Sequence, residues 1–174
     1  MNIFDIAKQN QEKAWQVIKN TNIIQIWEDA GAKINLVGSL RTGLLMKHRD
    51  IDFHIYSSAL NLTDSFQAMA RLAENPSIKR IECANLLHTA EACIEWHAWY
   101  QNEENELWQM DMIHIREGSR YDGYFEKVAQ RISEIMTDEI RETILRLKYE
   151  TPETEKIIGV EYYQACLLYT SDAA

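Results

Sequence analysis

The seven residues Asp50-Ile51-Asp52-Phe53-His54-Ile55-Tyr56 alternate strictly between polar and apolar side chains. A period of two specifies a β-strand with one face toward a core, so Ile51, Phe53 and Ile55 point inward while Asp50 and Asp52 share the opposite face. Residues two apart in a strand have α-carbons about 6.5–7 Å apart. Two ionised carboxylates about 6 Å apart repel by roughly 2–3 kcal/mol at an effective dielectric of 20. Open water tolerates that repulsion. A divalent cation between them converts it into attraction, and hard carboxylate oxygens are the ligands Mg²⁺ prefers.

The remaining chain supplies partners for such a strand. Residues 3–30 carry apolar positions at helical spacing, with Asn20-Thr21-Asn22 leaving open one long helix or two consecutive ones, and Gly31 as the stop. INLVG, 34–38, reads as a short buried strand ending at Gly38. LTDSFQAMARLAEN reads as an amphipathic helix closed by Asn75-Pro76. IKRIECANLLH, ACIEWHAWYQ and LWQMDMIHI read as three more strands, and after Gly118 the pattern is helical: DGYFEKVAQRISEIM, DEIRETILRLKYE and a third helix from near Pro152. Runs of strands beside runs of helices predict an α+β domain, a mixed β-sheet of about five strands with flanking helices and a C-terminal helical segment. The expected organisation is a core over 1–120 and a helical segment over 121–165 packed on it.

Asp111 interrupts the apolar run Met110-Asp111-Met112, where an isolated aspartate costs several kcal/mol unless paired, neutralised or metal-bound. If its strand lies beside 50–56, three carboxylates gather and can hold two ions about 3.5–4 Å apart. Gly38 and Ser39 end the first strand ahead of LRTGLL, which resembles the first turn of a helix. Glycine lets the backbone approach a phosphate, and serine adds a hydroxyl.

Gly38-Ser39, Gly43, Asp50-x-Asp52 and the later Asp111 together resemble the DNA polymerase β-like nucleotidyltransferase superfamily, most closely its small bacterial single-domain members. HRDID is similar to the corresponding stretch of antibiotic-modifying nucleotidyltransferases. The resemblance covers roughly 33–115 and implies transfer of a nucleoside monophosphate from an NTP, with ATP the expected nucleotide, assisted by two Mg²⁺ ions. It implies that Asp50, Asp52 and Asp111 are catalytic metal ligands and that Gly38 and Ser39 hold the triphosphate. Arg41 and Arg49 join them as nucleotide-binding candidates through charge steering. The chain departs from the tightest pattern where Lys47-His48-Arg49 replaces a polar serine before the first aspartate. The acceptor is read as a hydroxyl of an antibiotic-like small molecule or of a protein, with a catalytically weak nucleotide-binding protein or an antitoxin-type partner as the alternative. A homodimer or a toxin partner stays open.

Other polar residues have plainer readings. His54 extends the Asp face and reads as structural. Glu95 and His97 share a strand face with Cys93 and Trp99, where an exposed sheet surface is the simpler account. Trp96, Trp99, Tyr100 and Trp108 read as core, and His114 lacks a metal-ligand partner at useful spacing. Arg116, Arg120, Arg131, Arg146 and Lys148 are candidate phosphate contacts, although Glu142 to Arg146 is a ready i,i+4 pair.

A net charge of −9 disfavours non-specific nucleic-acid binding, which depends on neutralising phosphates. Three cysteines without CxxC spacing, no signal-peptide pattern and no long apolar run point to a cytoplasmic protein outside the membrane. CLLYTSDAA, 166–174, resembles the translation of a sequencing-library adapter joined in frame, so native sequence is expected to depart after Ala165.

Overall fold

The computed structural model describes residues 2–152, 154–155, 157–159 and 161–163. The N-terminal helical periodicity resolves into two helices, α1 (Ile3–Thr21) and α2 (Ile23–Asp29), because Asn22 takes the left-handed conformation between them at φ 54°. Asparagine tolerates that conformation better than most residues with a side chain. Asn2 caps α1, accepting from Phe4 N while Asp5 accepts from the Asn2 backbone.

Five strands follow, β1 (Lys33–Val37), β2 (Asp50–Ser57), β3 (Ile78–Asn85), β4 (Cys93–Gln101) and β5 (Leu107–Arg116). The short helix α3 (Gly38–Arg41) lies between β1 and β2, and α4 (Leu62–Ala73) between β2 and β3. Helices α5 (Tyr124–Ile135) and α6 (Asp138–Glu150) come after the last strand. Only fragments of the third helix expected from Pro152 fall within the described residues, and the 166–174 segment, Cys166 included, lies outside them.

The strands form one mixed sheet in the order β1-β2-β5-β4-β3. Only the central β2–β5 pair is parallel. The α+β fold class read from the pattern of elements is the one the chain adopts. One sheet face carries Ile51, Phe53, Ile55, Ile94, Trp96, Ala98, Met110 and Met112, all buried, against Trp27 of α2, Ala68, Met69 and Leu72 of α4, and the second half of α1. Each large side chain buried there contributes on the order of 1.5–3 kcal/mol. A second apolar cluster joins Ile3 and Ala7 of α1 to Leu44, Met46, Ile132, Ile144 and Leu145. The helices after β5 therefore pack against the start of the chain and the loop that follows α3.

His114 sits on the core face, where strand alternation puts it. Its Nδ1 lies 3.0 Å from Ser65 Oγ and its Nε2 2.8 Å from Ser57 Oγ, with the Trp27 ring edge-on at 4.9 Å. Burial lowers its pKa to about 4, so it is held neutral. No described helix is long and apolar enough to cross a membrane.

Candidate active site

The opposite sheet face carries Asp50, Asp52, His54 and Tyr56 from β2, Gln109 and Asp111 from β5, and Glu95, His97 and Trp99 from β4. The parallel register places Asp52 directly opposite Asp111 and Asp50 opposite Gln109. Facing residues on adjacent strands are about 4.8 Å apart in the hydrogen-bonding direction. On the other side Val37, the last residue of β1, partners Asp52. The chain leaves β1 at Gly38, and the Gly-Ser turn therefore begins beside the Asp52 side chain.

Gly38 has φ +67°, and a Cβ there would lie 2.7 Å from Asp52 Cγ and meet Oδ2 more closely still. Both the backbone conformation and the close approach exclude a side chain. Thr42 Oγ1 donates to the Gly38 and Ser39 carbonyls at 3.2 Å, holding the short helix closed.

Lys148 of α6 reaches this turn. Its Nζ donates to Ser39 Oγ at 2.8 Å and to Leu44 O at 3.0 Å, and the rings of Tyr162 and Tyr163 lie 5.9 and 5.8 Å away. The Tyr163 hydroxyl is 3.4 Å from Ser39 Oγ. Burial lowers the Lys148 pKa, opposed by the charges of Asp50 and Asp52. Burial likewise dominates at Asp52, with the repulsion of Asp50 and Asp111 added and only Lys148 opposing, and the carboxyl is pushed up to about 7. No described residue donates a hydrogen bond to the side chain of Asp50 or Asp52.

Asp111 is differently supported. His97 Nδ1 donates to its Oδ1 at 2.5 Å and Gln109 Nε2 donates to the same oxygen at 2.7 Å, which leaves Oδ2 without a partner among the described residues. His97 and Asp111 are half-buried. His54 is buried beneath α5, its ring edge-on to Phe125 at 4.7 Å, and Glu126 accepts from Asn35 and Tyr56 at the same helix. Helix α5 therefore covers the β1–β2 part of this face, and the part next to Asp111 stays accessible.

Gly38 and Ser39 lie at the turn beside Asp52, and Asp50, Asp52 and Asp111 share the sheet face next to it, without the three carboxylates converging on one point. Arg49 is turned to Glu106, at 2.9 Å, and Arg41 lines a separate pocket beyond α3. Trp99, on the open face, carries the Arg80 guanidinium over its ring at 4.5 Å, while Trp96 and Trp108 are core. Arg146 pairs with Glu142 at 2.6 Å. Lys148 was one of five candidate phosphate contacts read from the sequence. Its signal is that it falls on the stripe of Ile144 and Leu145, both fully buried, where a solvated lysine does not belong.

No family model matches the chain, and no curated protein matches it. Solved structures do. The Cid1 poly(U) polymerase bound to MgGTP superposes with a TM-score of 0.64 at 12% identity, over 92% of this chain and 52% of that one. A cytoplasmic RNA terminal U-transferase gives 0.62 at 11% identity, over 96% and 51%. The GLD-2/RNP-8 complex gives 0.56 at 8% identity, over 84% and 57%. At these identities the likeness establishes the fold, which is that of the polymerase β-like nucleotidyltransferases, as the Gly-Ser turn and the acidic strand suggested. The chain spans about half the length of these structures.

Proposed function

We propose that this chain is a nucleotidyltransferase that moves a nucleoside monophosphate from a nucleoside triphosphate to an acceptor hydroxyl. The observation that carries the reading is the position of Asp52: opposite Asp111 across β2–β5, beside the Gly38-Ser39 turn and within reach of the Lys148 charge. The fold shared with a poly(U) polymerase and an RNA terminal U-transferase supports it.

The donor set fits Mg²⁺. Asp50 and Asp52 offer hard oxygens to which no described residue donates, and the repulsion among three carboxylates is what a divalent ion relieves. As placed, no three described carboxylates or imidazoles converge closely enough to hold an ion together. Asp50 and Asp52 would be the first ligands and Asp111 Oδ2 the oxygen that completes the set. Bound there, Mg²⁺ supplies charge that neutralises the carboxylates and the phosphoryl oxygens.

The remaining work falls to the chain. Gly38 lets the backbone approach the triphosphate, the Ser39 hydroxyl donates to a phosphate oxygen, and the Lys148 ammonium balances the leaving pyrophosphate. The acceptor oxygen bonds to the α-phosphorus, the α–β anhydride bond breaks to release pyrophosphate, and the hydroxyl proton is taken up by the Asp111 carboxyl group. His97 and Gln109 hold Asp111 through its Oδ1. With a net charge of −9, and with Glu95 on the accessible face beside His97 while Glu82 is paired with Arg80, the acceptor is read as a small molecule or a protein side chain rather than a polyanion.

The test is incubation with each of the four α-³²P-labelled NTPs and Mg²⁺ in the presence of hydroxyl-bearing small molecules, proteins and short RNAs. Transfer of label to one acceptor class with release of pyrophosphate, abolished in Asp52→Asn, is expected. Label on none of them would contradict the reading.

A further inference from the structure

A pocket of about 460 Å³ opens on the far side of α3 from Ser39, between α1 and the α5–α6 connection. Its lining includes Gln11, Arg41, Gly43, Thr137, Asp138 and Arg141. We propose that it is a second anion site, holding a phosphate group between Arg41 of α3 and Arg141 of α6.

The donors are in place and have few acceptors among the described residues. Arg141 Nε is buried and makes no hydrogen bond among the described residues, and its Nη2 has only a long 3.4 Å contact to Thr42 O. Neither Arg141 nor Arg41 forms an ion pair with a described acid. A buried guanidinium edge without an acceptor costs on the order of 1–3 kcal/mol unless something supplies one.

The backbone is shaped to admit this arginine. Gly43 has φ +71°, and a Cβ there would lie 3.2 Å from Arg141 Cζ and meet Nη2 more closely. Gln11 Nε2 donates to Gly43 O at 3.0 Å and fixes the strand of backbone that the guanidinium passes. The Thr137 hydroxyl accepts from Ile140 N, so its own proton is free to donate into the pocket.

These groups decide the ligand class. Two guanidinium groups, from α3 and α6, can only donate, and the Thr137 hydroxyl, already accepting from Ile140 N, has its proton left to offer. The complementary ligand carries acceptors only, pointing in several directions, which is a tetrahedral oxyanion rather than a planar carboxylate. Asp138 is the one opposing charge in the lining; it is exposed and pairs with neither arginine, leaving the pocket formally +1 in a chain of −9. The same chemistry is offered by free phosphate and by the backbone of a nucleic acid. The inference does not rest on the triphosphate assignment, which uses Ser39 and Lys148.

Residue-resolved NMR tests it. Inorganic phosphate and, separately, a short single-stranded oligonucleotide without a terminal phosphate are titrated into the isotope-labelled chain. The Gly43 amide and the Arg141 Nε–H are followed beside those of Ser39 and Lys148. Saturable shifts at Gly43 and Arg141 with either probe, weakened about tenfold or more in Arg41→Gln and Arg141→Gln, are expected. Response to the ion alone assigns the site to free phosphate, and response to the oligonucleotide alone assigns it to a diester backbone. Absence of saturable shifts there with both probes, or shifts that persist unchanged in Arg41→Gln, overturns the proposal. Arg41 is exposed, so that variant keeps the test valid even where Arg141→Gln fails to fold.

Discussion

Asp52 and Asp111 stand as direct partners across the one parallel strand pair of the sheet, and the carboxyl of Asp52 is pushed up to about 7. Burial is the first cause and repulsion from Asp50 and Asp111 the next. An ionised Asp52 is therefore a cost to the folded chain in the absence of a cation, as expected of a group kept for function rather than stability.

Replacing Asp52 with asparagine should then stabilise the protein at pH 8 without added Mg²⁺. The carboxyl is partly screened by solvent, so the gain is about 2–4 kcal/mol. Between 3.8 and 7 the folded state binds the extra proton, so the wild-type contribution is fully present below 3.8 and is lost as pH rises through 7. Urea unfolding of both proteins at pH 8 and at pH 4 checks this: the gap should be wide at pH 8 and nearly closed at pH 4. An Asp52→Asn protein less stable than wild type at pH 8 contradicts it.

His114 works in the opposite direction. Its folded pKa of about 4 lies below the ordinary 6.5, so its contribution is full above 6.5 and lost as pH falls toward 4. The side chain is 2% exposed, which sets the effect at up to about 3 kcal/mol. In wild type the two slopes oppose each other over nearly the same window. In Asp52→Asn the His114 slope should emerge, as a loss of stability between pH 6.5 and 4, and in Asp52→Asn/His114→Gln it should flatten again.

Lys148→Met removes the ammonium from the Ser39 turn while keeping most of the side-chain volume. NTP affinity is expected to fall about tenfold or more, since a charge-assisted contact to phosphate is lost. Lys148→Arg should not restore it, because a planar guanidinium does not fit a buried site built for a point charge between Ser39 Oγ and Leu44 O. Calorimetric titration with the preferred NTP measures both.

Gly38→Ala places a methyl 2.7 Å from Asp52 Cγ at a positive φ. A destabilisation of about 1–3 kcal/mol is expected, together with weakened NTP binding, as Asp52 is driven from its place. The Asp52 carboxylate is what the methyl meets, Oδ2 before Cγ, so Asp52→Ala in the same chain should recover part of the stability but none of the binding. Chemical denaturation of the four proteins of the cycle reads the coupling directly.

The strand content of this fold was legible because period-two alternation is a local property. Ile51, Phe53, Ile55, Ile94, Trp96, Met110 and Met112 all face the core as alternation requires. The pairing of β2 with β5 was legible only as a condition, that Asp111 completes the cluster if the strands are neighbours. A parallel pair whose intervening chain makes a helix and two further strands leaves no local mark of its register. Lys148 escaped for a related reason: its partner Ser39 is contacted only after α6 packs on the loop behind α3, and the local Glu142–Arg146 pair explained the same helix more simply. His97 read as an exposed strand histidine, and its hydrogen bond to Asp111 depends on the antiparallel register of β4 with β5.

The most direct test of the central claim is calorimetric titration of ATP, GTP, CTP and UTP into the wild-type chain and the Asp50→Ala/Asp52→Ala variant in the presence of Mg²⁺. Saturable binding of at least one NTP by the wild type, lost in the variant, is the result expected of a carboxylate face that receives a triphosphate on the Gly38-Ser39 turn. Wild type that binds none of the four, or a variant that binds as tightly as wild type, would contradict it.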